Sequence, residues 1–506
     1  MIKTSAVTHK KGEDFYKRQK RTPYFDVLRK YVDDNILTFH CPGHQQGKGA
    51  YSEFRNFLGI NAFRADVCPV YGMDDLHQPK DVVKEALELA AEAYGSDYSY
   101  FLLNGSTSGN QAMIMTVCNP GDKLILSRNA HKSATSALIL SGACPVYVLP
   151  EFDDEMQVDH TITVESTKKV LEANLDAKAL FILSPTYYGA TADLKSLTGL
   201  AHSYDKIAVV DEAWGPHLHF NDKLPMSAID AGADICVNST HKLIGGMSQA
   251  SMMHLKGTRI DRGKLQAVLR IFLSTSPNSF LVSSLDVARM QMATEGEELL
   301  NKAIFVGDYL REKIRDIPGF KVYGRDIIGR PGVYDYDPTR VVFTAKNLGF
   351  SGYTVEKLLR NKYNIQVEMA DLFNIVVLIT LGHSVEDADK LINALADISK
   401  KCKENVEKSE LFHKKIGKPI KLPDFPALVL TPREAFVSDF KTVNFKESAG
   451  MISNEIITPY PPGIPLICPG ERITQDIIDY LQIEIEAGVH IQGSVDPGLE
   501  TIRVVK

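Results

Sequence analysis

The feature that most constrains the fold is the alternation of short apolar runs with longer amphipathic runs between about residues 97 and 256. The apolar runs have the length of strands, and the amphipathic runs have the length of helices. Strands that are apolar throughout and separated by helices predict an α/β fold, with a mostly parallel sheet covered by helices. The predicted strands are 123–126, 145–149, 179–183, 207–211, 234–238 and 249–255. Helices are predicted at 133–143, 163–176 and 193–204.

The length of 506 residues is enough for two or three domains. A Pro-rich stretch at 457–474 is excluded from helices and inner strands, because proline lacks a backbone N–H and fixes φ. We expect an N-terminal segment at 1–75, a large domain at 76–314, a smaller α+β domain at 315–410 and a C-terminal domain at 411–506.

Composition excludes several classes of protein. The net charge of −6 argues against a general nucleic-acid-binding protein, which carries a basic face. No apolar run approaches the roughly 18 residues of a membrane span. The seven cysteines are scattered without a C-x-x-C pair, which favours reduced thiols over disulfides or a zinc site. The basic N-terminus lacks the apolar core of a signal peptide. We therefore expect a cytoplasmic protein with no nucleic-acid or membrane partner.

Residues 102–117 (LLNGSTSGNQAMIMTV) place glycines and hydroxyl residues between an apolar run and a helical pattern. The N-terminus of a helix has unpaired N–H groups and a positive dipole end, so it binds phosphate. Ser106, Thr107 and Ser108 add hydroxyl donors. Neither the dinucleotide-binding glycine pattern nor the Walker pattern is present. An ordinary Ser/Thr helix cap is the alternative interpretation.

Residues 209–220 (VVDEAWGPHLHF) place Asp211 at the end of an aliphatic run. A carboxylate at the carboxyl end of a strand can pair with a cationic nitrogen of a ligand. A helix cap or a metal ligand are the alternatives for this residue. His217 and His219 are two residues apart, but no third ligand stands near them, so we expect no metal site.

Residues 234–246 (DICVNSTHKLIGG) place Lys242 directly after another predicted strand. A lysine held in a cleft can form a Schiff base with an aldehyde, whereas a solvated loop lysine is the alternative. His131, before a further hydroxyl-capped helix, can stack on a flat ligand or form only local hydrogen bonds.

The order of these elements is more informative than any one of them. A phosphate-binding helix start, an acid about 100 residues later and a lysine after that are what pyridoxal phosphate requires. The start of the helix would bind the phosphate, Asp211 would pair with the pyridinium nitrogen, and Lys242 would react with the aldehyde.

A set of motifs connects the chain to a known family. They are TFHCPGHQQG (38–47), GMDDLHQP (72–79), NGSTSGN (104–110), NAHKS (129–133), SPTYYG (184–189), DEAWGPH (211–217), STHK (239–242), STSPN (274–278) and PYPPGIPLICPGE (459–471). In these motifs the chain resembles the bacterial ornithine/lysine/arginine decarboxylases, which are pyridoxal 5'-phosphate enzymes of fold type I. It is similar to the short biosynthetic type, in which arginine decarboxylases are familiar, without the wing domain of the long forms.

The resemblance implies a role for each matching residue. Lys242 would form the internal aldimine, Asp211 would pair with the pyridine nitrogen, and decarboxylation would pass through an external aldimine and a quinonoid. His131 would stack on one ring face, Ala213 would pack on the other, and Trp214 would lie near the ring hydroxyl. The residues implied around the phosphate are Ser106, Thr107, Ser108, Ser239 and His241, with Thr275 and Ser276 reaching the phosphate of a partner subunit. A homodimer with shared active sites follows, and possible larger assemblies stay open.

The expected reaction is decarboxylation of a basic amino acid, first of all arginine to agmatine, with lysine or ornithine as the alternative substrate. Glu471 and Asp75 are candidates for the distal cation of the substrate, with helix capping and a surface turn as their alternatives. Arg340 is either a structural residue or a carboxylate clamp of the kind that aminotransferases use. An aminotransferase, an oxidase and an inactive cofactor-binding regulator are the rival functions.

Overall fold

The computed structural model describes residues 12–404, 423–460 and 463–506. The chain divides into two compact units: the first runs to Thr116 and resumes over Val209–Asn301, and the second comprises Val117–Ala208 and Lys302–Lys506. The domain boundaries expected at residues 75 and 314 stay predictions. The boundary expected at residue 410 lies outside the described residues.

Helices and strands are numbered here in chain order. The α-helices are α1 Glu13–Gln19, α2 Pro23–Asp33, α3 Ser52–Leu58, α4 Ile60–Ala65, α5 Val82–Tyr94, α6 Gly105–Val117, α7 Lys132–Ser141, α8 Val164–Glu172, α9 Leu194–Ser203, α10 Thr240–Leu243, α11 Arg262–Phe272, α12 Ser279–Arg315, α13 Gly352–Tyr363, α14 Val385–Glu404, α15 Pro432–Val437 and α16 Gln475–Ala487. Short 3₁₀ turns occur at Leu218–Phe220, Arg325–Ile327, Lys346–Leu348 and Phe445–Glu447. The strands are β1 Tyr98–Leu102, β2 Lys123–Ser127, β3 Cys144–Val148, β4 Phe152–Asp153, β5 Val158–Asp159, β6 Ala179–Leu183, β7 Ala190–Thr191, β8 Ile207–Asp211, β9 Ile235–Asn238, β10 Ser251–Leu255, β11 Lys321–Tyr323, β12 Asp335–Tyr336, β13 Arg340–Thr344, β14 Met369–Ala370, β15 Asn374–Leu378, β16 Phe440–Asn444, β17 Thr458–Tyr460, β18 His490–Gln492 and β19 Thr501–Val505.

In the first unit the strands pair in the order β1, β10, β9, β8. β8 and β9 are parallel, whereas β10 is antiparallel to both of its neighbours. The helix α5 packs on this unit's core and buries Val83, Ala86, Ala90 and Ala93, which lie on one helix face because they are three and four residues apart. This packing holds the sheet whose strand ends carry the candidate site.

In the second unit β6, β2 and β3 form a parallel set, with β2 in the middle. A separate antiparallel sheet has the order β11, β13, β15, β14. Its apolar residues form one core with α12, α13 and α14, including Val341, Phe343 and Ile375, all of which are fully buried. Two short antiparallel pairs, β16 with β19 and β17 with β18, belong to the C-terminal part.

The fold class predicted from the sequence is confirmed. Each of the six predicted strands is present, with ends that differ by at most two residues from the prediction. The antiparallel direction of β10 was not predicted, because an apolar run carries no information on strand direction. Among the described helices, none is long and apolar enough to cross a membrane.

Candidate active site

The carboxyl ends of the parallel strands β8 and β9 form the centre of the candidate site, in the first unit. β8 ends at Asp211, and β9 ends at Asn238, after which the chain continues through Ser239 into the short helix α10. Asp211 and Ser239 are each 1% exposed. Because the two strands are parallel, their last residues lie at the same edge of the sheet, where α/β proteins bind ligands.

The hydroxyl-rich start of α6 reaches this edge. Ser239 Oγ donates a hydrogen bond to Ser106 Oγ at 2.8 Å, which joins the end of β9 to the first turn of α6. Thr107 in the same turn is exposed, whereas Ser108 is buried and its hydroxyl donates to the carbonyl of Gly105 at 2.9 Å. Ser106 and Ser239 are therefore the hydroxyls that the structure brings together, and Ser108 is engaged within its own helix.

The close approach of α6 to the sheet depends on Gly109. A Cβ at this position would lie 2.5 Å from Cγ2 of Val237 in β9 and 2.8 Å from Cδ1 of Leu102 in β1. Real carbon atoms do not pack this closely, so a larger residue would push the helix away from the strands. The hydroxyl-bearing turn of α6 lies one turn before this glycine.

Asp211 accepts two hydrogen bonds that orient its carboxylate. Asn110 Nδ2 donates to Oδ2 at 2.7 Å, and the backbone N–H of Ala213 donates to Oδ1 at 3.1 Å. Burial raises the pKa of Asp211, while these two hydrogen bonds and the positive charge of Lys242 oppose the rise. The carboxylate is thus desolvated and held in one orientation.

Lys242 lies in α10 and is half-buried. Its Nζ atom lies 3.6 Å from the centroid of the Trp214 ring. Trp214 and Ala213 follow the end of β8 and are 5% and 6% exposed. The amine therefore rests on an aromatic face within the same unit as Asp211, rather than extending into solvent.

His241, the residue before Lys242, is fixed by the backbone that leads into β10. Its Nδ1–H donates to the carbonyl of Ala250 at 2.9 Å, and its backbone N–H donates to the same oxygen at 3.2 Å. Burial lowers the pKa of this imidazole, and the charge of Lys242 also lowers it. The ring orientation is thus set by contacts within the first unit.

Glu212 is as deeply buried as the adjacent Asp211, but its carboxyl group has different partners. The N–H of Ala228 donates to Oε1 at 2.6 Å, and Asn238 Nδ2 donates to Oε2 at 3.0 Å. Burial raises the pKa of Glu212 to about 8. This carboxyl group therefore links the end of β8 to the end of β9.

His131 belongs to the second unit, where it caps α7. Its Nδ1 accepts hydrogen bonds from the Ser133 N–H at 3.2 Å and from the Ser133 hydroxyl at 2.8 Å. The local hydrogen-bonding interpretation is thus present in the structure. The stacking role of His131 stays a prediction.

Two of the substrate candidates are buried in the second unit. Glu471 is 0% exposed, its Oε2 lies 3.0 Å from Arg128 Nη2, and the same oxygen accepts the Cys468 N–H at 2.7 Å. Arg340 in β13 is also 0% exposed, with Nη1 3.6 Å from Asp337 Oδ2. Both charges are engaged within the fold, and their substrate roles stay predictions that these contacts do not favour.

The remaining candidates lie on the surface of the first unit. Asp75 is in an exposed turn, where its Oδ1 accepts the His77 N–H at 2.8 Å. Thr275 and Ser276 are exposed between α11 and α12. Ser276 also lines a cleft of about 320 Å³ together with Asn104 and Ser108, from the start of α6. The described residues contain no group of three or more His, Cys, Asp or Glu that fits a metal ion.

Comparison with known proteins identifies this arrangement. The family model described as the Orn/Lys/Arg decarboxylase major domain matches residues 22–387, and the model of the C-terminal domain of the same family matches residues 420–500. The chain belongs to the Orn/Lys/Arg decarboxylase family. It is therefore an enzyme of the decarboxylase class, and the resemblance stated from the sequence motifs is confirmed.

Individual decarboxylases of this family and more distant proteins agree with the assignment. An arginine decarboxylase of Bacillus subtilis (strain 168) is 42% identical over 488 residues, which cover 96% of this chain and 98% of that protein. The crystal structure of a lysine decarboxylase of Francisella novicida has a TM-score of 0.83 at 23% identity, with 97% of this chain and 82% of that chain covered. A serine palmitoyltransferase of Sphingomonas wittichii has a TM-score of 0.51 at 16% identity, with 64% of this chain and 77% of that chain covered. The last two similarities support the fold.

For this decarboxylase, sequence reasoning missed Asn110. The residue is 1% exposed and donates the short hydrogen bond to Asp211. A signal was available, since Asn110 lies four residues after Ser106 and the two therefore share one face of α6. One face of this helix thus carries both the hydroxyl near Ser239 and the amide that orients Asp211.

Proposed function

We propose that this protein decarboxylates L-arginine to agmatine and carbon dioxide, with pyridoxal 5'-phosphate as its cofactor. One observation carries the proposal: the Lys242 amine, the Asp211 carboxylate and the Ser106–Ser239 hydroxyl pair all lie at the ends of β8 and β9. The amine can bind the aldehyde of the cofactor, and the carboxylate can pair with the protonated ring nitrogen. The two hydroxyls can donate hydrogen bonds to the phosphate. Agmatine is a precursor of polyamines, so the enzyme would serve polyamine biosynthesis.

The donor set of the first unit fits this cofactor. Lys242 provides the amine that attaches the aldehyde covalently, and its place on the indole of Trp214 keeps the amine out of bulk water. Ser106, Thr107, Ser239 and His241 would hold the phosphate, at a helix N-terminus that favours anions. The hydroxyl of Ser108 is not offered to the phosphate, because it donates to the carbonyl of Gly105.

Asp211 has the most defined task. Its carboxylate would hold a proton on the pyridine nitrogen, and the hydrogen bonds from Asn110 and the Ala213 N–H fix the orientation of that carboxylate. When bound, the cofactor ring accepts the electron pair that the departing carboxylate leaves on Cα. Burial makes the negative charge of Asp211 costly without a cationic partner, so the pairing favours both charges. Ala213 would cover one ring face, and the stacking role of His131 stays a prediction from its sequence motif.

The similarity to the Bacillus subtilis arginine decarboxylase supports arginine as the substrate. Lysine and ornithine are the alternatives, in line with the three substrates of the family. The decisive experiment offers arginine, lysine, ornithine and agmatine separately to the purified protein and measures carbon dioxide and amine products. We expect agmatine and carbon dioxide from arginine. A keto acid without carbon dioxide would contradict decarboxylation and favour an aminotransferase.

The role of Lys242 is tested with a matched lysine. Lys242→Ala should lower kcat by about 10⁴-fold or more, because the covalent attachment point is lost. Lys256 is the control, since it is also half-buried and directly follows a strand of the same sheet, β10. Lys256→Ala should retain nearly full activity. Borohydride should reduce the Schiff base of the wild type and leave no fixed cofactor in the Lys242 variant.

A homodimer with shared active sites is part of the proposal. Large apolar side chains of the first unit are exposed between residues 36 and 71, among them Phe39 at 92%, Phe57 at 87% and Leu37 at 70%. Exposed apolar surface of this extent favours a protein partner. Phe57→Asp should shift the protein toward monomers in light scattering, whereas Phe305→Asp, at a side chain 62% exposed on α12, should not.

Sharing of the active site can be tested by complementation. Thr275 and Ser276 would reach the phosphate in the partner's site, so the variants Lys242→Ala and Thr275→Ala, each poorly active alone, would form one intact site when mixed. We expect activity to return after subunit exchange, toward half the wild-type value per mixed dimer. A mixture as inactive as its components would argue that each site uses residues of one chain.

We place the enzyme in the cytoplasm. All seven cysteines are free, and Cys118, Cys236 and Cys468 among them are buried. Proteins of reducing compartments keep their thiols in this state. Small-molecule amino acids are the partners that this proposal requires.

A further inference from the structure

A second cavity, of about 770 Å³, lies entirely within the second unit. Its size falls within the range of small-molecule binding sites. Among the described residues that line it, none is basic, whereas five are acidic: Asp154, Asp159, Asp371, Asp424 and Glu484. Such an excess of one charge in a concave site attracts ions of opposite charge.

Glu484, on α16, is one carboxylate of this wall. It is 5% exposed and accepts hydrogen bonds from Tyr480 Oη at 2.9 Å and from Tyr353 Oη at 3.2 Å. Two phenols orient the carboxylate without neutralising it. Burial raises the pKa of Glu484, and the negative charge of Asp371 raises it further.

Asp371 is held more tightly than Glu484. Its Oδ1 accepts the backbone N–H groups of Phe373 at 2.6 Å and Asn374 at 2.7 Å, and its Oδ2 accepts Tyr188 Oη at 2.7 Å. These contacts fix a turn of the protein, so Asp371 supplies fixed negative charge near Glu484 rather than an adjustable ligand group.

Asp159, in β5, is a further acidic residue of the cavity wall, and its carboxylate is available to a ligand. Its carboxylate accepts no hydrogen bond and forms no ion pair with any described residue, and it lines the cavity. Burial raises its pKa to about 6, although Arg128 lowers it, so the group is mostly ionised at neutral pH. Asp159 is half-buried, and Arg128 acts on it from beyond ion-pair distance, so a cation bound in the cavity would stabilise its charge.

The rest of the wall favours an organic cation over a metal ion. Phe152, Phe373 and Phe425 line the cavity, with Leu372 and Ile464 among the aliphatic residues. Lys346 and Arg128 contact the rings of Phe373 and Phe425, but neither lysine nor arginine lines the cavity. Apolar and aromatic walls suit methylene groups and ammonium ions, whereas small metal ions require a compact set of oxygens.

We propose that this cavity binds an aliphatic di- or polyamine, with one ammonium group at Glu484 and another at Asp159. The methylene chain between them would lie along the aromatic and aliphatic wall. The proposal goes beyond the decarboxylase function and does not rest on it, because no residue of the Lys242 site takes part.

The test is calorimetric titration of the full-length protein with spermidine at 0.15 M salt, which screens nonspecific attraction to the acidic surface. We expect one site on the second unit with a Kd below about 1 mM. Asp159→Asn and Glu484→Gln should each weaken binding by about tenfold or more, since each removes one charge-assisted hydrogen bond. Asp159→Asn loses no contact within the protein, so its folding should be unimpaired.

The matched control is Glu486→Gln, which makes the same charge change on α16 at an exposed residue. It should leave the spermidine affinity within twofold. Absence of binding, equal binding by Asp159→Asn and Glu484→Gln, or displacement of spermidine by an equal concentration of Mg²⁺ would each overturn the proposal. All these outcomes are read from binding, so they are separate from any failure of arginine turnover.

Discussion

The Arg128–Glu471 ion pair offers a sharp test, because Glu471 is also a substrate candidate. The two side chains are 1% and 0% exposed, and Arg128 Nη2 lies 3.0 Å from Glu471 Oε2. Arg128→Met leaves an uncompensated carboxylate in the interior, which typically costs about 3–5 kcal/mol. Burial raises the pKa of Glu471, in line with this cost, and Arg128 opposes the rise.

Glu471→Gln should cost less than Arg128→Met. Arg128 still donates to the carbonyls of Pro465 at 2.7 Å and Leu466 at 3.3 Å, so its charge keeps two partners. We expect a loss of about 1–3 kcal/mol. In the double variant neither buried charge remains, so the loss should fall below the sum of the single losses by about 1–3 kcal/mol.

The assay is urea unfolding of the cofactor-loaded enzyme, followed by circular dichroism, with kcat and KM measured in parallel. Arg472→Met is the control: this exposed neighbour of Glu471 should change stability by less than about 0.5 kcal/mol. If Glu471→Gln leaves stability unchanged and raises KM for arginine strongly, the carboxylate acts on substrate, and the structural interpretation is wrong.

Three further outcomes follow from the first unit. Gly109→Ala should lose about 1–3 kcal/mol of stability and bind the cofactor more weakly, because its Cβ would clash with Val237 and Leu102. The control is Gly199→Ala, at a helix position with open space, which should stay stable in the same unfolding assay. Asn110→Ala should lower kcat by about tenfold or more with little change in KM, because Asp211 loses a donor; unchanged kcat would contradict this role. Burial lowers the pKa of His254 from 6.5 to about 3, so the unfolded chain binds the proton first and stability falls as pH drops below 6.5. Between pH 7.5 and 5.5 this loss of unfolding free energy is about 1.4 kcal/mol. The urea midpoint of His254→Asn should therefore fall less than that of the wild type over this pH range.

The sequence predicted those parts of the protein that local pattern determines. Fully apolar runs such as 179–183 and 207–211 became strands at the expected positions. The pattern also predicted that Asp211 and Lys242 lie at the same edge of the sheet, since Asp211 ends one predicted strand and Lys242 follows another. These features depend on short stretches of chain, which a single sequence contains in full.

Features that depend on contacts between distant residues were not predictable in this way. The pairing of Glu471 with Arg128 joins positions more than three hundred residues apart. The direction of β10 depends on which strands it pairs with, and the engagement of Ser108 with Gly105 depends on the exact turn at the start of α6. A hydroxyl in a motif does not reveal whether it faces a ligand or its own backbone.

The adjacent acids at the end of β8 have a consequence for evolution of this chain. Asp211 faces the amide of Asn110, while Glu212 faces Ala228 and Asn238, so the two carboxyl groups differ in task only through their position along the strand. Deleting one residue from 207–210 would interchange the directions of the two side chains. Length changes here should therefore be eliminated by selection even when both acids are kept.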